Sequence, residues 1–191
     1  MVRRFQLTAC FVASILGIIG VVSADRAGGA APDPVATSAC QRRPIDLVIC
    51  LDTSGSMEAL IDSARARLWD IVNSLSSARP TPELRVGLIT YGSPSRSTAS
   101  QGWVVLQSGL TSDLDRVYAN MMEFHTDGGD EFVGWALNDA VTRMNWSSDP
   151  KALKLIFVAG NESADQAREV YDFRSVSSTA RNRGIIINAI Y

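Results

Sequence analysis

Lysine and histidine are almost missing from this chain. Of its eighteen basic side chains only Lys151 and Lys154 are lysines, and His125 is the single histidine. One histidine, three cysteines (Cys10, Cys40 and Cys50) and no Cys-x-x-Cys spacing argue against a zinc centre built on nitrogen and sulfur. Excess positive charge is missing as well. The formal net charge is −2 and no basic patch is visible, so neither nucleic acid nor an anionic membrane surface is expected as the main partner. The dominance of arginine over lysine reads as a base-composition bias of the genome and carries no function.

Long apolar runs are also scarce. The longest, Leu7 to Val22, follows Arg3 and Arg4 and leads into Val22-Ser23-Ala24. A basic start, an apolar stretch and compact residues at −3 and −1 form a secretory signal over residues 1–24, cut after Ala24. Retention as a membrane anchor is the alternative, but the stretch is short and interrupted by Ser14, Gly17 and Gly20. Leu7-Thr8-Ala9-Cys10 mimics a lipoprotein cleavage box, yet its apolar region follows the cysteine instead of preceding it. Removing Arg3 and Arg4 leaves 16 basic and 20 acidic residues, a formal charge of −4. A secreted or periplasmic product is expected. That setting permits a disulfide, although Cys50 lies in an apolar run where a buried free thiol is equally normal.

Residues 25–44 are rich in Ala, Gly, Pro and Ser and read as a linker without a core. The domain, 45–191, alternates apolar runs with amphipathic stretches. Strands are expected at 45–51, 84–91, 103–106, 153–159 and 185–191, with the short third one at an edge. Helical spacing follows Met57, ending before Pro80. It recurs from Leu114 to Met121 with Thr111 or Ser112 as the cap, from Phe132 to Met144, and from Tyr171 to Arg183 with Gly184 as the stop. No internal repeat is visible. Strand–helix alternation predicts an α/β fold, a doubly wound, mostly parallel open sheet with helices on both faces.

Asp52-Thr53-Ser54-Gly55-Ser56 stands between the first strand and the first helix, where open α/β sheets bind ligands. One carboxylate and two hydroxyls spaced Asp-x-Ser-x-Ser are hard oxygen donors, suited to Mg²⁺ first, or to Mn²⁺ or Ca²⁺. N-capping of the helix by Ser54 and Ser56 is the alternative reading, and the two can coexist. The arrangement resembles the metal-ion-dependent adhesion site of von Willebrand factor type A domains. The resemblance extends over Ile45 to Tyr191, with a Gly128-Gly129 second loop and an apolar third strand ending in Gly160-Asn161-Glu162. It implies that the family's second-loop Thr place falls on Asp130 and its third-loop Asp place on Gly160. On that alignment the metal ligands are Asp52, Ser54, Ser56 and Asp130, with Asp130 supplying the carboxylate that Gly160 lacks. Glu162 could also swing in, Thr126 is a rival if the loop register shifts, and an aspartate restored at 160 tightens binding if the loop has room. His125 is read as a loop residue, and Asp130 has a second reading as a helix N-terminal acid.

Within the family the chain is most similar to bacterial exported members with Gly-Gly-Asp-Glu and Ala-Gly-Asn-Glu loops. Such a domain usually continues with one more helix and strand. Their absence implies a truncated product or a fragment, with an exposed sheet edge. The resemblance implies a binding module rather than an enzyme, whose cation keeps a position open for an Asp or Glu carboxylate of a protein partner. A metal-free interaction module is the alternative, because of Gly160. A phosphatase is remote: the sequence after the first strand resembles haloacid-dehalogenase enzymes, but Ser54 stands where their second Asp belongs. Export is tested by N-terminal sequencing of the released product, which is expected to read from Asp25. An intact Met1 in the membrane fraction contradicts the assignment.

Overall fold

The computed structural model describes residues 42–166 and 170–190. The signal and most of the linker, together with Cys40, lie outside the described residues. Five strands are present: β1 (Pro44–Asp52), β2 (Glu83–Tyr91), β3 (Val105–Thr111), β4 (Leu153–Ala159) and β5 (Ile185–Ile190). They form one sheet in the order β3-β2-β1-β4-β5. β1 runs parallel to β2 and β4, β5 runs parallel to β4, and only β3 is antiparallel, at an edge. β1 is buried over eight of its nine residues, which is why its sequence is a continuous apolar run instead of an alternating one.

Side chains alternate across the sheet. Leu47, Ile49 and Leu51 meet Leu68 and Val72 of α1 (Ile61–Ser76) and Val117 and Met121 of α2 (Leu114–Met122) on one face. Val48 and Cys50 meet Ala136, Leu137 and Ala140 of α3 (Val133–Arg143), and the same cluster reaches Val176 and Ala180 of α4 (Phe173–Asn182), on the other. Helices thus cover both faces. Each fully buried aliphatic side chain contributes roughly 1.5–3 kcal/mol. The Cys50 thiol is unpaired and fully buried, and burial pushes its pKa far up. On the α1 face, Leu153, Leu155 and Phe157 of β4 are only half-buried, and Ile186 of the edge strand β5 is 52% exposed.

Several boundaries differ from the sequence expectation. β3 begins at Val105, not Trp103, because Gly102 and Trp103 both take positive φ and turn the chain before the strand starts. The α2 cap is Asp113, whose carboxylate accepts the Arg116 N–H at 3.1 Å, instead of Thr111 or Ser112. Likewise Asp172 caps α4 by accepting from the Ser175 N–H, so that helix starts at Phe173. Gly184, at φ +68°, follows its end as expected.

At the end of the sheet where β1 begins, Asp46 is fully buried. It accepts hydrogen bonds from Arg85 Nε at 2.9 Å, Arg85 Nη2 at 2.8 Å and the Ser147 N–H at 2.6 Å. This pair ties β1, β2 and the loop before β4. Removing one partner of a buried pair leaves the other uncompensated. Arg85 keeps partial access to water, its side chain being 28% exposed, so Asp46→Ala is expected to lower urea stability by about 2 kcal/mol through the hydrogen bonds it removes; a loss below about 0.5 kcal/mol contradicts this role.

Candidate functional site

Asp52 ends β1 and is fully buried. Its Oδ1 accepts the Ser54 N–H at 2.9 Å, while Oδ2 is buried without a hydrogen-bond partner. Ser54 Oγ and Ser56 Oγ lie 3.0 Å apart. A short 3₁₀ turn, Gly55–Met57, separates them from α1, whose N-cap position is Leu60 and carries no side-chain cap. The two hydroxyls are therefore not spent on capping. The sequence reading had left capping open, and the turn removes it.

Two further loops close on this one. Gly92, directly after β2, has φ +84°, and a Cβ there would stand 3.0 Å from both Asp52 Oδ1 and Ser54 Cβ. Only glycine supplies that backbone beside the carboxylate. The second loop joins through Asp127: its N–H donates to Thr53 O at 3.2 Å, and its backbone pairs with Ser54. Asp127 Oδ2 accepts the Ser95 N–H at 3.0 Å. Burial pushes the Asp127 pKa up, but hydrogen bonds from Ser93 and Ser95 and the charge of Arg96 outweigh it and hold the carboxyl below its ordinary range.

The structure does not bring Asp130 to this cluster. Asp130 is exposed, and no hydrogen bond or ion pair among the described residues joins it to Asp52, Ser54 or Ser56. The neighbours on either side take the interior instead. Gly129 packs against Gly92 O, and Glu131 is 8% exposed with Oε2 accepting from Gln166 Nε2 at 2.8 Å. Thr126 is half-buried, and no hydrogen bond among the described residues joins it to the site either; His125 is exposed. The third loop also departs from the sequence alignment. A Cβ at Gly160 would lie 2.6 Å from Tyr91 Oη and 3.1 Å from Asp52 Oδ2, so an aspartate there has no room. Asn161 is the third-loop residue that reaches the cluster: its Oδ1 accepts from Ser56 Oγ at 3.1 Å and its Nδ2 donates to Ser56 O at 3.3 Å. Gly92, Asp127 and Asn161 were not picked out from sequence. The visible signals were a glycine closing the second strand and an asparagine one place beyond Gly160.

Asp52, Ser54 Oγ, Ser56 Oγ and Asn161 Oδ1 make an all-oxygen donor set, and the unpartnered Oδ2 is an acceptor that a cation would satisfy. No group of three or more His, Cys, Asp or Glu side chains is placed to hold a metal among the described residues. The site is built on hydroxyls around one carboxylate. Beside the third loop lies a hollow of about 220 Å³ lined by Met57, Leu60, Ala64, Ala159, Gly160 and Ile190.

Burial raises the Asp52 pKa from 3.8 to about 6; the two Ser54 hydrogen bonds offset part of this, and the charges of Glu131 and Glu162 add to it. In the ion-free protein, the folded state keeps this proton where the unfolded chain has released it. The resulting stability is complete below about pH 4 and is lost as pH rises through about 6. Asp127 has the opposite sign, losing its contribution only as pH falls through its lowered pKa, and so is silent in that window. With chelator present, urea stability is expected to fall on the order of 2 kcal/mol between about pH 4 and pH 7. Asp52→Asn should flatten this slope. A wild-type profile already as flat as the variant's contradicts the assignment.

No curated protein matches this chain. Among solved structures, the SpRpn10 VWA domain has a TM-score of 0.60 at 14% identity, covering 76% of this chain and 74% of that one. Proximal thread matrix protein 1 from the mussel byssus, in a structure with a zinc-occupied MIDAS motif, scores 0.59 at 16% identity over 78% of this chain and 35% of that one. The open conformation of the pilus adhesin SpaC from Lactobacillus rhamnosus GG scores 0.58 at 16% identity, over 78% and 24%. The match therefore spans about a third of the mussel protein and a quarter of the adhesin. At these identities the likeness is one of fold. The sequence profile of the von Willebrand factor type A domain matches residues 46–191, and the chain belongs to that family.

Proposed function

We propose that this domain is an exported protein-binding module that grips an acidic side chain of its partner through a divalent cation. Asp52, Ser54 and Ser56 hold the ion from the protein side, and a partner Asp or Glu completes its coordination. The observation that carries the reading is Asp52 Oδ2, a carboxylate oxygen buried beside two hydroxyls and left without a partner. A buried acceptor of that kind is costly unless a cation or proton meets it. The ion supplies a positive centre that a carboxylate can meet at short range, and the hollow beside the third loop, with Leu60 46% exposed at its rim, offers apolar contact around it.

Mg²⁺ suits the set of hard oxygens, with Mn²⁺ and Ca²⁺ as alternatives. The module reading is preferred over catalysis because Ser54 stands where a phosphatase of comparable layout would place its general acid. Export rests on the Arg3-Arg4 start, the apolar stretch and Val22-Ser23-Ala24. A second reading is favoured by one observation: Tyr91 Oη crowds Gly160, so the third loop brings no carboxylate toward Asp52 at that position, as a form of the domain that binds partners without an ion would allow.

Calorimetric titration of residues 25–191 with Mn²⁺ separates the two. Wild-type protein is expected to bind, Asp52→Ala to lose binding by at least a hundredfold, and Asp130→Ala to stay within about threefold of wild type. Wild-type protein indifferent to Mn²⁺, Mg²⁺ and Ca²⁺ alike makes the ion-free reading correct.

A further inference from the structure

Three features of the third loop point the same way. Gly160 lies between Tyr91 Oη and Asp52 Oδ2, where a Cβ would stand 2.6 Å and 3.1 Å away, so any side chain at that position requires the buried Tyr91 to shift. Asn161, one residue on, turns its amide into the hydroxyl pair, with Oδ1 at 3.1 Å from Ser56 Oγ and Nδ2 held by Ser56 O. Of the other carboxylates, Glu131 is engaged by Gln166, Glu162 and Asp130 are exposed, and Asp127 belongs to the second loop, with Oδ2 held by the Ser95 N–H and Oδ1 buried without a hydrogen-bond partner.

We infer that Asn161 is the third-loop ligand of the cation, one position beyond the expected place, so that the third loop brings no charge to the ion and an external carboxylate is needed to retain it. This rests on the cation-dependent reading given above. An asparagine oxygen is an ordinary hard ligand but brings no charge. A divalent ion held by one carboxylate and neutral oxygens keeps an excess positive charge, and that charge is cancelled when an acidic side chain arrives. Ion and partner then bind as a pair, each raising the affinity of the other by the same factor. The domain discriminates for acidic partners because, without one, its ion is poorly held.

The test is Mn²⁺ titration, by calorimetry and by electron paramagnetic resonance of the free ion, with and without saturating acetate. Asn161→Asp is isosteric and adds the missing charge. It is expected to bind Mn²⁺ at least about tenfold more tightly than wild type and to lose most of the acetate effect. Asn161→Leu should bind at least about tenfold more weakly. Urea unfolding in chelator, expected to be alike in all three, shows that the changes are local. Wild-type affinity in Asn161→Leu overturns the assignment, as does tighter binding in Gly160→Asp than in Asn161→Asp. Acetate without effect on the wild type overturns the external-carboxylate half. If wild type binds no ion but Asn161→Asp does, Asn161 is placed correctly and the cation-dependent function is what fails; if no variant binds, both fall.

Discussion

A carboxylate is buried at the end of the central strand with one oxygen bonded and the other left alone. Much of the arrangement around this loop cluster serves to hold that state. β1 is flanked by β2 and β4 and covered by helices on both faces, so Asp52 is carried to the sheet end by a strand with little freedom to move. The loop after it turns at once through a 3₁₀ segment, which keeps Ser54 and Ser56 beside the carboxylate and delays the first helix until Ile61. The cost of desolvating Asp52 is offset only in part, by hydrogen bonds from Ser54, so the folded chain is left with an unmet preference for positive charge. That preference is the physical content of the site.

The opposite end of the sheet solves the same problem internally. Asp46 is as buried as Asp52, yet both its oxygens are met, by Arg85 and by a backbone N–H. Two aspartates six residues apart on one strand thus divide into a satisfied member that fastens the fold and an unsatisfied member that faces a ligand site. The contrast sets the unmet oxygens of the loop cluster, Asp52 Oδ2 and Asp127 Oδ1, against the fully paired carboxylate at the other end of the sheet.

Strand placement was legible in the sequence because the runs Ile45–Leu51, Leu84–Tyr91, Leu153–Ala159 and Ile185 onward are short, apolar and rich in β-branched residues; the sheet buries both faces of β1, while β4 and β5 stay partly exposed. The helix starts were less legible. Asp113 takes the α2 cap, whereas Thr111 and Ser112 offered equally good local chemistry and only the path of the incoming chain decides between them, and Asp172 caps α4 at the second residue of the expected helix. In the site, Asp52, Ser54 and Ser56 could be read because their spacing is local. The second and third loops could not, since their register depends on contacts between segments far apart in sequence. Tyr91 Oη beside Gly160 shifts the third-loop contact to Asn161, and the pairing of Asp127 with Ser54 leaves Asp130 outside.

The loops meet through main chain more than through side chains: Gly92 lies against Asp52 and Ser54, Gly128 against Gly55, and Gly129 against Gly92. Contacts of this kind fix loop length tightly, while the side chains of residues 98–100 make their hydrogen bonds within their own turn and not to the ion platform. Exposed positions such as Thr98, Ala99 and Ser100 belong to the outer surface. The architecture separates a rigid chassis from an interchangeable rim. Insertions or deletions at the inner turns would dismantle the platform, whereas wholesale rewriting of the rim would leave it standing and present the same ion to a different surface.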